Sequence, residues 1–387
     1  MKGLTGRVLT TSLAIFAMLF GAGNLIFPLR IGVESGGHVF TGFFGFALTG
    51  ILLPILGLMA VVSFNGDYQS FFGRLGSWSS KVVIFFCMMI IGPFIAMPRI
   101  MDLAYEMVRP FLPSMPLLLF TILFALVAFI ATYRLNRLLD IIGKYLSPAK
   151  VVSIVSIIVI GLFTAHKAEY RPIDQMAFFW NSLLKGYGTL DLIGAIFFGS
   201  IVVQLLSQYS NKKEHIDLSK AVHITAISGL FAGLLLGAVY LGITCLGAFH
   251  TQGISSLNEG EIFSQVAFRI LGNWGAAVIG FVVVLAGLTT LVSISAVVGE
   301  YIQLVSNQRI SYAHSVAVVL TACALVANSG LTMLLVYSGP FINFFYPLII
   351  AITVCNLLYK LYGFTWIKLP VAITALISAW FVLVPLF

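Results

Sequence analysis

Three segments hold residues able to bind ions or polar ligands, and all three lie inside apolar runs. The first, Phe16-Ala-Met-Leu-Phe-Gly-Ala-Gly-Asn-Leu-Ile-Phe-Pro28, sets Gly21, Gly23 and Asn24 near mid-run. Glycine costs about 1 kcal/mol in a helix interior, and the adjacent Asn competes for backbone hydrogen bonds. One reading is an unwound stretch whose backbone N–H and C=O groups line a cavity, the main place non-helical backbone is tolerated in lipid. The other is close helix packing through small residues. The second segment, Gly194-Ala-Ile-Phe-Phe-Gly-Ser-Ile-Val202, places Phe198-Gly199 at its middle in the same way. In the third, Ala286-Gly-Leu-Thr-Thr-Leu-Val-Ser-Ile-Ser295, Thr289 and Thr290 can bond back to their own helix. Alternatively, they can give a hard cation its oxygen ligands.

Few charges accompany these segments. Arg99 falls inside an apolar run, with Asp102 three residues on as a partner on the same helical face. The pattern favours a structural or gating ion pair for Arg99 over contact with a ligand. Asp191 lies just inside the end of another run, where it can cap a half-helix or face a cation. No run carries a buried carboxylate pair or an HExxH motif, and the histidines sit near run ends or in loops. That argues against a membrane enzyme, which must gather acid–base groups or metal ligands. Cys87, Cys245, Cys323 and Cys355 show neither metal nor disulfide spacing.

The elements that must position these residues follow from composition. Only 9% of the 387 residues are charged and 60% are hydrophobic, against about 25% charged in soluble domains. This excludes a soluble enzyme or a nucleic-acid module, and the alternation of a transmembrane barrel is missing. The chain reads as an all-α polytopic membrane protein in a lipid bilayer. Apolar runs of spanning length fall near 8–29, 39–64, 82–108, 115–133 and 147–166, then 189–208, 221–249, 271–299, 310–328, 331–358 and 369–387. The stretch from Lys167 to Lys185 reads as a polar loop. With the N-terminus inside, most Lys and Arg residues, among them Arg74, Arg134, Lys144 and Lys212, fall in inside loops, which sets the N-terminus in the cytoplasm. The net charge of +8 is thereby assigned to topology rather than to a nucleic-acid partner.

Phe20-Gly21 and Phe198-Gly199 each lie in the first span of a five-span set, 8–166 and 189–358, with 369–387 as an extra helix. Five is odd, so the second set starts from the opposite side of the membrane. Interrupted helices in matching places of two inverted halves point to a transporter site at the midplane.

The FGAGNLIFP core of Phe16–Pro28, and Ile91-Gly-Pro-Phe-Ile-Ala-Met-Pro-Arg99, resemble the first- and third-span signatures of the bacterial branched-chain amino acid:cation symporter family. The resemblance implies the five-plus-five inverted-repeat fold of the leucine-transporter superfamily, with about 11–12 spans and broken first and sixth helices. It also implies the bacterial inner membrane, co-transported sodium, an amino acid substrate and no obligatory protein partner. Backbone N–H groups at Ala22 and Gly23, beside Asn24, would hold the substrate carboxylate. Carbonyls of Ala17 and Phe20 would face sodium, with Ala286, Thr289 and Thr290 completing that site. Phe197, Phe198, Gly199 and Ser200 would meet the ammonium and side chain, and Gly92-Pro93 would form the opposite wall.

Half-helix ends agree with these roles, since an N-terminus carries about +0.5 charge and carbonyl ends suit a cation. One methylene is worth only about 1–3 kcal/mol in a pocket, so leucine, isoleucine and valine would all be accepted. The expectation is sodium-coupled import of branched-chain amino acids by alternating access. The alternative is proton coupling, or a broader neutral amino acid permease of the same fold. A channel would call for filter rings or an oligomeric pore instead.

Overall fold

The computed structural model describes residues 4–133, 147–165, 170–208, 218–250, 257 and 259–383, and the described residues are overwhelmingly helical. Helix is what an apolar chain in lipid must adopt, because every backbone polar group needs an internal partner. Six segments are long and apolar enough to cross a membrane, and shorter apolar helices such as Val8–Leu19 and Leu117–Tyr133 accompany them.

The first span is α1 (Leu4–Leu19), a 3₁₀ turn (Ala22–Leu25) and α2 (Ile26–Glu34). The second joins α3 (Val39–Ala47) to α4 (Leu53–Val62) through one π turn, with Pro54 in the first turn of α4. A short α5 (Tyr68–Gly73) follows, capped by the Asp67 carboxylate, which accepts from the Gln69 and Ser70 N–H groups. The third span, α6 (Ser77–Met89) and α7 (Ala96–Val108), kinks at Gly92-Pro93, where Gly92 leaves helical geometry. Next come α8 (Leu117–Tyr133) and α9 (Ser147–Phe163).

The sixth span departs from expectation. Residues 175–185, part of the stretch read above as loop, belong to α10 (Gln175–Tyr187), started by the Asp174 carboxylate, which accepts from the Met176 and Ala177 N–H groups. α11 (Asp191–Gln208) continues it after a break at Gly188-Thr189-Leu190. The break is tight: Gly188, Thr189 and Leu190 N–H groups bond Lys185, Gly186 and Tyr187 carbonyls, and Leu190 takes a φ of 61°. That left-handed conformation is costly for leucine, and surrounding structure must hold it. The span therefore begins at Gln175, not 189, and Phe198-Gly199 lies in unbroken helix. Lys185 hid this, since its charge reads as loop but is paired with Glu34 of α2.

The remaining spans are α12 (Leu218–His250), α13 (Glu259–Val305), α14 (Tyr312–Ala327), α15 (Leu331–Tyr362) and α16 (Lys368–Leu383). Gly272 (φ 65°) divides α13 into a short N-terminal arm and a longer apolar helix. Among the described residues, α1–α9 and α10–α15 thus follow one another as two successive sets of helices, each opening with a broken helix, and α16 lies beyond them.

Small residues let these helices touch backbone to backbone, as membrane packing requires. A methyl at Gly32 of α2 would stand 2.0 Å from the Thr244 carbonyl of α12, and one at Gly45 would stand 2.4 Å from the Phe179 carbonyl of α10. Gly199 belongs to this class: its added methyl would meet Val61 of α4 at 2.4 Å. The Phe198-Gly199 pair marks a packing contact, not a break.

Candidate functional site at the helix breaks

At Phe20-Gly21 the first span opens as expected. Gly21 is extended (φ −87°, ψ 170°), and its N–H turns to the Leu19 carbonyl instead of reaching four residues back to Ala17. The C-terminal end of α1 and the start of the Ala22–Leu25 turn therefore both face this point. The break between α10 and α11 comes to the same place, and Asn24 ties the two together. Its amide Nδ2 lies within hydrogen-bond distance of the Leu19 carbonyl (2.6 Å), Asp191 Oδ2 (2.6 Å) and the Tyr240 hydroxyl (2.9 Å), three acceptors that share its two N–H hydrogens. Asn24 is 3% exposed and Asp191 9%. Asp191 sits in the first turn of α11, where helix N–H groups favour a negative charge. Its own N–H bonds the Thr189 hydroxyl at 3.3 Å.

A cavity opens where these elements meet. Met18, Leu19, Gly21 and Asn24 line it from the first span, and Thr189, Leu190, Asp191, Gly194 and Phe198 from the sixth. Ile91, Ala96, Arg99 and Ile100 close it from the third, with Thr290 and Ile294 from α13. The walls are mostly aliphatic and aromatic, with a few convergent polar groups, the usual make-up of a small-molecule site.

Of the sequence-predicted residues, Asn24, Phe198 and Thr290 line this cavity, and Ala22 and Gly23 form the turn beside it. Ala17 lies in the last turn of α1, and Phe20 is buried, stacking on Phe16 with centroids 5.1 Å apart. Thr289 and Thr290 both donate to the Ala286 carbonyl, at 2.8 and 3.1 Å, so their hydroxyls are back-bonded. Thr290 nonetheless stands against the first break, 3.4 Å from where a Gly21 side chain would begin.

Other predicted residues lie elsewhere. Gly92 and Pro93 make the third-span kink, but Gly92 faces Val298 and the wall is built by their neighbours Ile91, Ala96, Arg99 and Ile100. Phe197 points away, packing on Tyr68 and Phe72 at 4.9 and 6.0 Å between centroids. Burial pushes the phenol of Tyr68, which belongs to α5, up to about 12, so that contact stays uncharged. Gly199 and Ser200 pack beside Gly66.

The Arg99–Asp102 pairing is also absent among the described residues. Both Asp102 oxygens and Arg99 Nε and Nη1 are buried without a hydrogen-bond partner there, and Arg99 lies over the Phe27 ring at 5.3 Å. Helical spacing put the two on one face, but α7 buries that face against different neighbours. Sequence reasoning missed Tyr240, whose ring packs near Phe20 and on Phe46 (6.0 and 5.3 Å). A lone tyrosine in an apolar run gave no signal.

Comparisons with known proteins identify the family and the fold. A family model described as "Branched-chain amino acid transport protein" matches residues 5–384. The chain is 31% identical over 361 residues to the branched-chain amino acid permease BraB of Bacillus subtilis, covering 90% of this chain and 79% of that one. It is 32% identical over 369 residues to the permease BrnQ of the same organism, covering 92% and 82%. Among solved structures, inward-facing Mhp1 superposes with a TM-score of 0.64 at 12% identity, covering 97% of this chain and 89% of that one. MhsT in complex with L-phenylalanine gives 0.63 at 17% identity, covering 98% of both. At such identities the structural likeness establishes the fold alone, a leucine-transporter-type helical fold.

Proposed function

The chain belongs to the branched-chain amino acid transport protein family and is a membrane-spanning transporter, not an enzyme; from that premise we propose that it imports leucine, isoleucine and valine coupled to sodium. The observation that carries this reading is the meeting of the first and sixth breaks around one apolar-walled cavity. Substrate and sodium bind there in the cycle we propose. Sodium takes the carbonyls at Ala17 and Phe20 with Ala286, Thr289 and Thr290, where the closeness of Thr290 to Gly21 supports the site. The substrate carboxylate takes N–H groups at Ala22 and Gly23. The cation orders the unwound backbone and screens the carboxylate, which couples the two binding events. With both bound, the bundle carrying the broken spans rocks against the rest. The N-terminus lies in the cytoplasm of a bacterial cell, by the distribution of Lys and Arg.

Proton coupling is the second reading, favoured by one observation: the buried Asp191 carboxylate at the cavity. Labelled isoleucine uptake into proteoliposomes separates the two. Accumulation under an inward sodium gradient, and none under a proton gradient in potassium, is the expected result. Accumulation driven by protons alone refutes the sodium site.

A further inference from the structure

The Arg99 guanidinium is unusually placed. It is 3% exposed, stands at the cavity, and leaves Nε and Nη1 without a hydrogen-bond partner among the described residues. A guanidinium carries five donors in a planar fork and keeps its charge. A guanidinium with donors left unmet at membrane depth is costly and marks function. Asp191 lines the same cavity from the sixth break, its Oδ2 bonded to the Asn24 amide. One positive and one negative side chain thus share a cavity whose remaining lining is mostly apolar, with the neutral polar groups of Asn24, Thr189 and Thr290 among it.

One ligand chemistry satisfies both charges at once: a zwitterion with a carboxylate and an ammonium on the same carbon, and an apolar side chain. We propose that Arg99 grips the α-carboxylate of the transported amino acid through its guanidinium fork while Asp191 receives the α-ammonium. This rests on the amino acid transport reading above and gives its substrate a pair of charged contacts beyond the backbone groups of the broken helices. Arg99 approaches the carboxylate from the third span, Asp191 meets the ammonium from the sixth, and the aliphatic wall takes the side chain. Asn24 is a positioning residue, holding Asp191 Oδ2. An amino acid that has lost either charge leaves a buried ion uncompensated, so the site rejects it far more strongly than it distinguishes leucine from valine.

The test uses the full chain purified in lipid nanodiscs, with bound labelled leucine displaced by three compounds sharing one isobutyl group. These are leucine, leucinamide (no carboxylate) and 4-methylpentanoate (no ammonium). For the wild type, leucine binds at least about 100-fold tighter than either analogue, as expected for truncating one partner of a buried charge pair. In Arg99→Gln, leucine weakens while leucinamide changes little, so that ratio falls below about tenfold. In Asp191→Asn the ratio to 4-methylpentanoate collapses instead, and rejection of leucinamide persists. Arg99→Lys, which keeps the charge without the fork, gives an intermediate leucinamide ratio and serves if Gln at 99 prevents folding. A leucinamide ratio unchanged in the Arg99 variants overturns the carboxylate assignment. A 4-methylpentanoate ratio unchanged in Asp191→Asn overturns the ammonium assignment. A wild type that binds no leucine at all refutes the transport reading beneath both.

Discussion

Replacing Asn24 by alanine should uncouple the two broken helices. The two N–H hydrogens of one amide are shared among the Leu19 carbonyl, Asp191 Oδ2 and the Tyr240 hydroxyl, two of them at 2.6 Å. Removing it takes a donor from the buried Asp191 carboxylate and leaves the Leu19 carbonyl with the Gly21 N–H alone, at about 1–3 kcal/mol for a neutral group and more for a charged one. Water admitted from the adjoining cavity recovers part of this. A net loss of about 2–4 kcal/mol remains, which converts to roughly a 30- to 1000-fold shift in any equilibrium that needs the breaks together. Initial rates of leucine uptake in proteoliposomes, normalised to inserted protein, give the assay. The expected outcome is a rise in KM or a fall in rate of at least about 30-fold. Asn24→Asp, which sets a second carboxyl against Asp191, should be no better. Kinetics within threefold of wild type for Asn24→Ala would refute the claim that this bridge joins the breaks.

Three further outcomes are expected. Thr289→Ala combined with Thr290→Ala should raise the sodium concentration needed for half-maximal uptake by about tenfold or more while leaving the ranking of leucine, isoleucine and valine intact, measured by sodium titration of uptake; unchanged sodium dependence would move the ion site elsewhere. Gly32→Ala should destabilise the protein by about 1–3 kcal/mol, because its methyl meets the Thr244 carbonyl at 2.0 Å. Gly73→Ala, at an exposed helical position where nothing lies within 4 Å, should be neutral or stabilising by up to about 1 kcal/mol; thermal unfolding in detergent distinguishes them. Arg74 bonds the Cys355 and Phe364 carbonyls and Asn356 Oδ1 at 3.2, 2.8 and 2.9 Å and covers the Tyr359 ring, joining the end of α5 to α15 and the turn before α16. Arg74→Ala should therefore expose the buried Cys355 to maleimide at least about tenfold faster, and an unchanged labelling rate would remove the latch role.

Sequence reasoning recovered what local chemistry encodes. Gly-Ala-Gly-Asn is a poor helix former in any setting, and the first span breaks there. Gly92-Pro93 kinks the third span because proline removes a donor and crowds the preceding turn. Misreadings arose where a residue's meaning depends on a distant partner. Lys185 made 175–185 look like loop, yet its charge is met by Glu34, 151 positions earlier in the chain. Gly199 resembled a break because glycine serves equally for unwinding and for close approach, and only the presence of Val61 decides between them. The same holds for Arg99 and Asp102, neighbours on one helix whose surroundings come from other spans. Tyr240 gained its role solely from meeting Asn24 across 216 positions.

The location of the substrate site at the paired breaks is tested most directly by protection of a single cysteine there. Cys245, half-buried in α12, is first replaced by serine, and Ile100 in the cavity wall is then replaced by cysteine. Labelling of that cysteine by a small methanethiosulfonate reagent is followed with and without isoleucine. Isoleucine should slow the reaction in proportion to its occupancy, and 4-methylpentanoate at equal concentration should not. A labelling rate indifferent to saturating isoleucine, in protein that still transports it, would contradict a substrate site between the first and sixth breaks.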